Sequence, residues 1–355
     1  MSTQLRYVHI GVGGYGQHWC TEVLPRLRTQ GLAVPVAAVD INPDVLPCAA
    51  SQLGISDGHL FRQAREAIEH TRPHFITLVV PPAAHEAMVE LAIEYGCHIL
   101  AEAPLADTMP ACCRIYRKVA RADLKMAVTT SHRFDQDKQT LQRLLRSGQF
   151  GPLDYLVGRN TLACRRRGQW GQFRYDIPDP LLIEGTVHPF DIMRALAGAN
   201  ARKVRCQTWN PPWSEFTGDC QAHIAVEMEN GVRVLYEGAK ANAAQLNGWG
   251  QDYWRAECRD ATLVLDRRQL TSLSDLGDSH CESAIPLDEQ PAWSNAWLAE
   301  LFCRWLLGGD PPPNTVDDHI HCAALLFAAV EAARKGAVVD VPAFLARYLR
   351  QVDNA

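Results

Sequence analysis

A chain of 355 residues, 47% of them hydrophobic and 21% charged, exceeds one small core and suits two domains of ordinary size. A formal net charge of −5, with its one dense basic cluster at Arg165, Arg166 and Arg167, argues against nucleic acid, a partner held by phosphate neutralisation. No segment approaches the roughly 18 consecutive apolar residues of a bilayer span, and Met1 to Ile10 lacks the basic start, apolar run and cleavage site of a secretory leader; the expectation is no membrane and a cytoplasmic location.

From Tyr7 to about Ser131, short apolar runs alternate with amphipathic segments, the rhythm of strand and crossover helix in a parallel sheet. Strands are predicted at Tyr7–Gly11, Val34–Asp40, Phe75–Val80, His98–Ala101 and Lys125–Thr129. The clearest helix, Ala84–Tyr95, carries Met88, Leu91, Ala92 and Tyr95 at helical spacing. A helix after Asp135, with Leu141, Leu144 and Leu145 inward, leads to Gly148 and Gly151, and from Leu153 onward the texture becomes strands and hairpins. Ala222–Ala239 reads as a hairpin turning at Asn230 and Gly231. Two late helices follow, one carrying Trp297, Leu301 and Trp305 at four-residue steps, the other from about Val316 to Gly336. The predicted division is 1–131, a dinucleotide-binding domain, and 132–355, an α+β domain for substrate and oligomerisation, with the final helix free to pack back on the first domain. Twelve scattered cysteines without a C-x-x-C pair read as reduced thiols.

Gly11-Val12-Gly13-Gly14-Tyr15-Gly16 satisfies G-x-G-x-x-G between an apolar strand and a helix bearing Trp19, Val23 and Leu27 on one side. Gly11 permits the tight turn, Gly13 lets the backbone approach a pyrophosphate, and Gly16 allows the helix to pack on the strand; Gly14 and Tyr15 complete the cradle at the positive helix end. Asp40 ends the second strand 24 residues beyond Gly16, near the about 20 at which an acid meets the adenosine ribose hydroxyls. Its charge would repel a 2′-phosphate, and neither Ile41 nor Asn42 supplies a cation, so NAD is favoured over NADP.

At Val79-Val80-Pro81-Pro82-Ala83-Ala84-His85 and Ala101-Glu102-Ala103-Pro104-Leu105-Ala106 the chain resembles the Gfo/Idh/MocA oxidoreductase family, which includes glucose-fructose oxidoreductase and inositol dehydrogenase. The likeness continues through His132-Arg133-Phe134, Gly148–Gly151, Glu184–Gly198 and the last stretch before Val338 and Val339. It implies an amino-terminal Rossmann fold, a second α+β domain on an open, mostly antiparallel sheet, and dimers or tetramers pairing through that sheet. It assigns Pro81, Pro82, His85, Glu102 and Ala103 to the cofactor region and Arg133 to substrate. Many members carry a lysine in an E-K-P motif that assists proton transfer at the reacting hydroxyl; here that position is Ala103, whose methyl group can neither move a proton nor polarise an alkoxide.

Glu184, His188 and Asp191 match the family's acid, histidine and aspartate pattern, with glutamate where aspartate is more usual. If helical, steps of four and three place them on one face. An imidazole, with an intrinsic pKa of about 6.5, can take a proton from a sugar hydroxyl as hydride departs, so His188 is the expected acid-base residue and Glu184 its companion at the substrate. Asp191 is expected to orient the helix or pair with Arg194, and Pro189 threatens the helix at the preceding residue. Arg165, Trp170 and neighbouring Arg166, Arg167, Arg174 and Tyr175 offer forked donors and aromatic faces for a polyhydroxylated or anionic ligand. His319 and His321, two apart, point away from each other on a helix and read as surface or interface residues; no metal is implied.

The function this pattern implies is NAD-dependent oxidation of a secondary hydroxyl on a sugar, inositol or sugar derivative. Its alternatives are an NAD-dependent glycosidase working by transient oxidation and elimination, and a non-catalytic NAD-binding sensor.

Overall fold

The computed structural model describes residues 4–275 and 280–354; residues 1–3, part of the stretch bearing on a leader, lie outside them. The chain divides into two compact units, one of residues 1–131 with 291–320, the other of 132–290 with 321–355.

The first unit holds a six-stranded parallel sheet of β1 (Leu5–Ile10), β2 (Ala33–Val39), β3 (Leu60–Phe61), β4 (Phe75–Leu78), β5 (His98–Glu102) and β6 (Met126–Thr129) in the order β3-β2-β1-β4-β5-β6. The predicted strands are present, and the additional β3 is only two residues long, too short for a periodic signal. This order reverses direction between β1 and β4, the switch point where ligands bind an open α/β sheet. Nearly every residue of β1, β4 and β6 is buried, as both faces of a parallel sheet must be. Trp19, Val23, Leu24 and Leu27 pack with Tyr7, Phe75 and Phe302 in one cluster.

Phe302 belongs to the helix Ser294–Leu306, which buries Leu298, Ala299, Phe302 and Cys303. Trp297, Leu301 and Trp305, at their four-residue steps, are half-buried at its margin. Small Ala299 and Cys303 let the helix approach closely, while the Trp305 indole lies edge-on to Phe302 and under the Lys125 ammonium.

The second unit carries nine strands, β7 (Leu153–Thr161), β8 (Ala201–Trp209), β9 (Gln221–Met228), β10 (Arg233–Ala239), β11 (Tyr253–Cys258), β12 (Thr262–Asp266), β13 (Gln269–Ser274), β14 (Cys281–Ile285) and β15 (Val339–Asp340). They run β14-β13-β12-β11-β7-β10-β9-β8-β15, antiparallel except where β10 meets β7. The β9–β10 hairpin turns at Gly231, whose φ of 88° needs glycine. Gly158 of β7 faces Trp254 of β11, and a Cβ there would lie 2.5 Å from the indole; the missing side chain makes room for the ring. A last helix, Val341–Asp353, absent from the sequence reading, packs on β8 and β15 within this unit; of the predicted final helix, Val316–Lys335, residues 316–320 group with the first unit and the rest with the second. All twelve cysteines are free thiols, eight of them buried.

Candidate functional site

In the first unit the glycine turn is built as its spacing requires. A Cβ on Gly16 would fall 1.9 Å from the Gly11 carbonyl oxygen, and one on Gly11 2.1 Å from that of Val79; these glycines join helix, turn and the end of β4. Gly14 has a φ of 54° and open space where its Cβ would be, leaving the backbone approachable, and Tyr15 beside it is half exposed. This cradle fits a dinucleotide pyrophosphate.

Asp40 does more than the spacing suggests. Its Oδ2 accepts from Val12 N and Gly13 N, each at 3.0 Å, and its Oδ1 from Asn42 N at 2.9 Å. The carboxylate thus ties the end of β2 to the turn and fixes the loop's shape. Below it, His9 is fully buried with Nδ1 2.7 Å from the Thr77 hydroxyl; burial lowers its pKa to about 4, so a neutral ring supports the turn.

Two residues assigned to the cofactor region, His85 and Glu102, are otherwise engaged. His85 is completely buried, with Nδ1 3.1 Å from Leu105 O and Nε2 3.0 Å from Val80 O. Desolvation lowers its pKa, and the neutral ring, able to donate to only one of these carbonyls, clamps two loops instead of meeting a ligand. Glu102 accepts from Trp19 Nε1 at 2.7 Å, Thr129 Oγ1 at 2.5 Å and Ala103 N at 3.2 Å, an anchor for the Ala103–Pro104 turn. Pro81 and Pro82 lie at the end of β4 at the start of a short 3-10 turn.

In the second unit the acid-histidine pattern does not form one uninterrupted α-helix. Leu181–Gly185 is a wide turn of π type, Thr186 intervenes, and the α-helix runs Val187–Ala197. Pro189 sits in that helix's first turn, where its missing N–H would have had no intrahelical acceptor, so it does not break the helix. The His188 ring stacks on His132, with centroids 4.2 Å apart and planes at 16°, and the Trp249 indole stands edge-on to both. Desolvation, aided by the nearby Lys138 ammonium, lowers the His132 pKa to about 3, although part of its surface remains accessible. Lys138 itself lies among Asp135, Asp137 and Asp252, 3.1 to 3.4 Å away, which hold it firmly protonated.

Asp191 takes both Nε and Nη2 of Arg133 on its two carboxylate oxygens, with Arg194 at 3.5 Å. Arg133 is 7% exposed and Asp191 fully enclosed; the arginine expected at the substrate is instead committed to holding the histidine segments together. Glu184 is buried and pairs with Arg174 Nε at 2.9 Å. The Arg174 guanidinium lies 4.7 Å from the Trp170 ring centroid, and the Lys240 ammonium nitrogen 3.6 Å from it. Trp170 also neighbours Trp249, with centroids 6.3 Å apart. Arg165 stays on the connecting loop, its carbonyl accepting from Glu215 N. His319 is buried, which removes the surface half of its surface-or-interface reading; no group of metal-binding residues occurs among the described residues.

Lys240 and Trp249 are functional candidates that the sequence pattern does not single out, and His132, which lies in a quoted motif, received no role from it. Lys240 left one trace, a lone cation among Gly238, Ala239, Ala241 and Ala243.

Residues 5–130 match the family described as oxidoreductase family, NAD-binding Rossmann fold, and residues 142–248 match its C-terminal alpha/beta domain. The chain belongs to the Gfo/Idh/MocA oxidoreductase family. It is an NAD-dependent oxidoreductase of that type, which agrees with the glycine turn and Asp40. An uncharacterized protein y4oX of Sinorhizobium fredii is 39% identical over 359 residues, covering 97% of both chains. Inositol 2-dehydrogenase of Corynebacterium glutamicum strain R is 27% identical over 243 residues, covering 67% of each. An oxidoreductase from Agrobacterium radiobacter, solved in complex with NAD+, L-tartaric acid and magnesium, shares the fold at a TM-score of 0.83 and 18% identity, covering 96% of this chain and 99% of that one. No helix among the described residues of this oxidoreductase is long and apolar enough to cross a membrane.

Proposed function

We propose that this oxidoreductase removes hydride from a secondary hydroxyl of a sugar, inositol or related polyol, with His188 as acid-base residue and Glu184 at the substrate. When bound, NAD supplies the hydride acceptor. Gly11, Gly13, Gly14, Tyr15 and Gly16 would hold its pyrophosphate, Asp40 would meet its ribose, and Pro81, Pro82 and Ala103 would line its path. His188 takes the hydroxyl proton; Ala103 has none to exchange. His132, neutral and stacked on His188, fixes the plane of that ring without competing for the proton.

The observation that carries this reading is the cluster itself: an imidazole edged by Trp249, next to Trp170, with Glu184 and Arg174 alongside. Aromatic faces beside forked donors and a carboxylate suit a hydroxylated carbon skeleton. The inositol dehydrogenase and the tartrate complex among the similar proteins support the same ligand class. Residues 1–131 would serve the cofactor and 132–355 the substrate. In the cytoplasm, two or four copies would pair through the open second sheet, where Arg159, Gln207, His223, Leu235 and Glu237 line a shallow groove.

A screen of sugars, inositols, sugar acids and aryl glycosides with NAD tests the reading. NADH should appear with at least one polyol, and His188→Ala should lower kcat by about 10²- to 10⁴-fold, the ordinary contribution of a general base. Aglycone release without net NADH would point to the glycosidase alternative, and NAD binding unaccompanied by any turnover to the sensor.

A further inference from the structure

Lys240 follows β10 and is completely buried, enclosed by a small apolar cluster of Tyr175, Phe216, Cys220 and Ala241, with Cys164 and Trp170 against it. Its ammonium group donates to Pro180 O at 2.6 Å, and the Trp170 indole covers it. No carboxylate among the described residues pairs with it; the one acid nearby, Glu184, is bound to Arg174. A cation removed from water is costly unless paired, so whenever the amine is protonated this cluster of two cations and one carboxylate lacks an anion. The approach is built in, because a Cβ on Gly185 would meet Lys240 Cε at 2.8 Å. Glycine at this position lets the amine lie directly against the Glu184 turn.

We infer that Lys240 and Arg174 form the receptor for a carboxylate on the substrate, with Trp170 as its cover, so that the preferred substrate is a polyol acid and not a neutral polyol. This rests on the proposed reading of the same site. Trp170 lies against both cations, and each such contact is weak. A carboxylate offers charge-assisted hydrogen bonds, about twice as strong as neutral ones, and can displace the indole. The cover is attached so that it can yield: Trp170 lies between Gly168, whose φ is 87°, and Gly171, and residues 166–169 are exposed.

A protonation change follows. Burial lowers the Lys240 pKa to about 7, with Glu184, Cys164 and Cys220 opposing the shift and Arg174 adding to it. Much of the amine is therefore neutral near neutral pH, and an arriving carboxylate would favour the charged form. Carboxylate binding should take up a proton, be tightest below about pH 7, and weaken as pH rises.

The test uses the full chain saturated with NAD and matched ligands of the same carbon skeleton, D-gluconate with D-glucitol and D-glucuronate with D-glucose. Calorimetry in two buffers of different ionisation enthalpy measures affinity and proton uptake together. The expected result is at least tenfold tighter binding of each acid at pH 6.5, close to half a proton taken up per acid bound near pH 7, and about tenfold weaker binding at pH 8.5. Lys240→Met should abolish both the preference and the proton uptake. Should that variant fail to fold, the unaltered protein's proton uptake and the titration of its ¹³C-labelled Lys240 Cε resonance, with and without gluconate, decide the matter. Equal affinity for acid and neutral partner, or acid binding without proton uptake, overturns the inference. Turnover of neutral polyols with no preference for acids would sink it alone and leave the proposed reaction standing. Acid binding with proton uptake but no turnover of any polyol would sink the reaction and leave the receptor.

Discussion

The pair of Arg133 and Asp191 is the contact on which the histidine stack most depends, since Arg133 follows His132 in the chain and Asp191 lies one helical turn beyond His188. Two guanidiniums, of Arg133 and Arg194, face one enclosed carboxylate. Asp191→Asn preserves shape but leaves both cations without that charge, and breaking a buried pair in this way costs about 3 to 5 kcal/mol. For a unit of this size each kcal/mol lowers Tm by about 2 to 4 °C, so thermal unfolding followed by circular dichroism should show a drop of about 6 to 20 °C. Arg133→Met should cost less, because Asp191 still keeps the Arg194 guanidinium at 3.5 Å. Both variants should also lower kcat, since the His132 ring would no longer be held against His188. Equal stability losses in the two variants, or a larger one for Arg133→Met, would refute this ordering, and an unchanged Tm in Asp191→Asn would refute the energetic importance of the pair.

Asp40→Ala removes an acceptor from three backbone N–H groups and should weaken NAD binding by about 10- to 100-fold, from hydrogen bonds to a charged group at about 1.5 to 3 kcal/mol; calorimetry measures this, and a lowered Tm without NAD would separate loop-holding from ribose contact. Gly158→Ala places a methyl 2.5 Å from the Trp254 indole and should cost about 1 to 3 kcal/mol by overpacking, read from urea denaturation. His132 and His9, with pKa values lowered to about 3 and about 4, remain neutral in the fold while the unfolded chain protonates them near pH 6.5. Their contribution is present above about pH 6.5 and lost as pH falls towards 3 to 4. His132→Phe, which keeps a ring for the stack, should reduce the slope of stability against pH by close to one proton over that window, measured by urea titrations at successive pH values.

The amino-acid sequence by itself determined the parallel sheet of the first unit, the glycine turn with Asp40 and the β9–β10 hairpin, because each is carried by local periodicity, turn chemistry or short spacing. Tertiary structure alone decided which polar groups were already taken. Arg133 and His85 look available along the chain, yet partners 58 and 20 residues away claim them, and Lys240 meets Pro180 across 60 residues. Such pairings leave no periodic trace, since one side chain and one distant acceptor suffice. The same reason hid the His132–His188 stack: two rings 56 residues apart in the chain come within 4.2 Å only after folding, and their chemistry depends on the water that folding excludes.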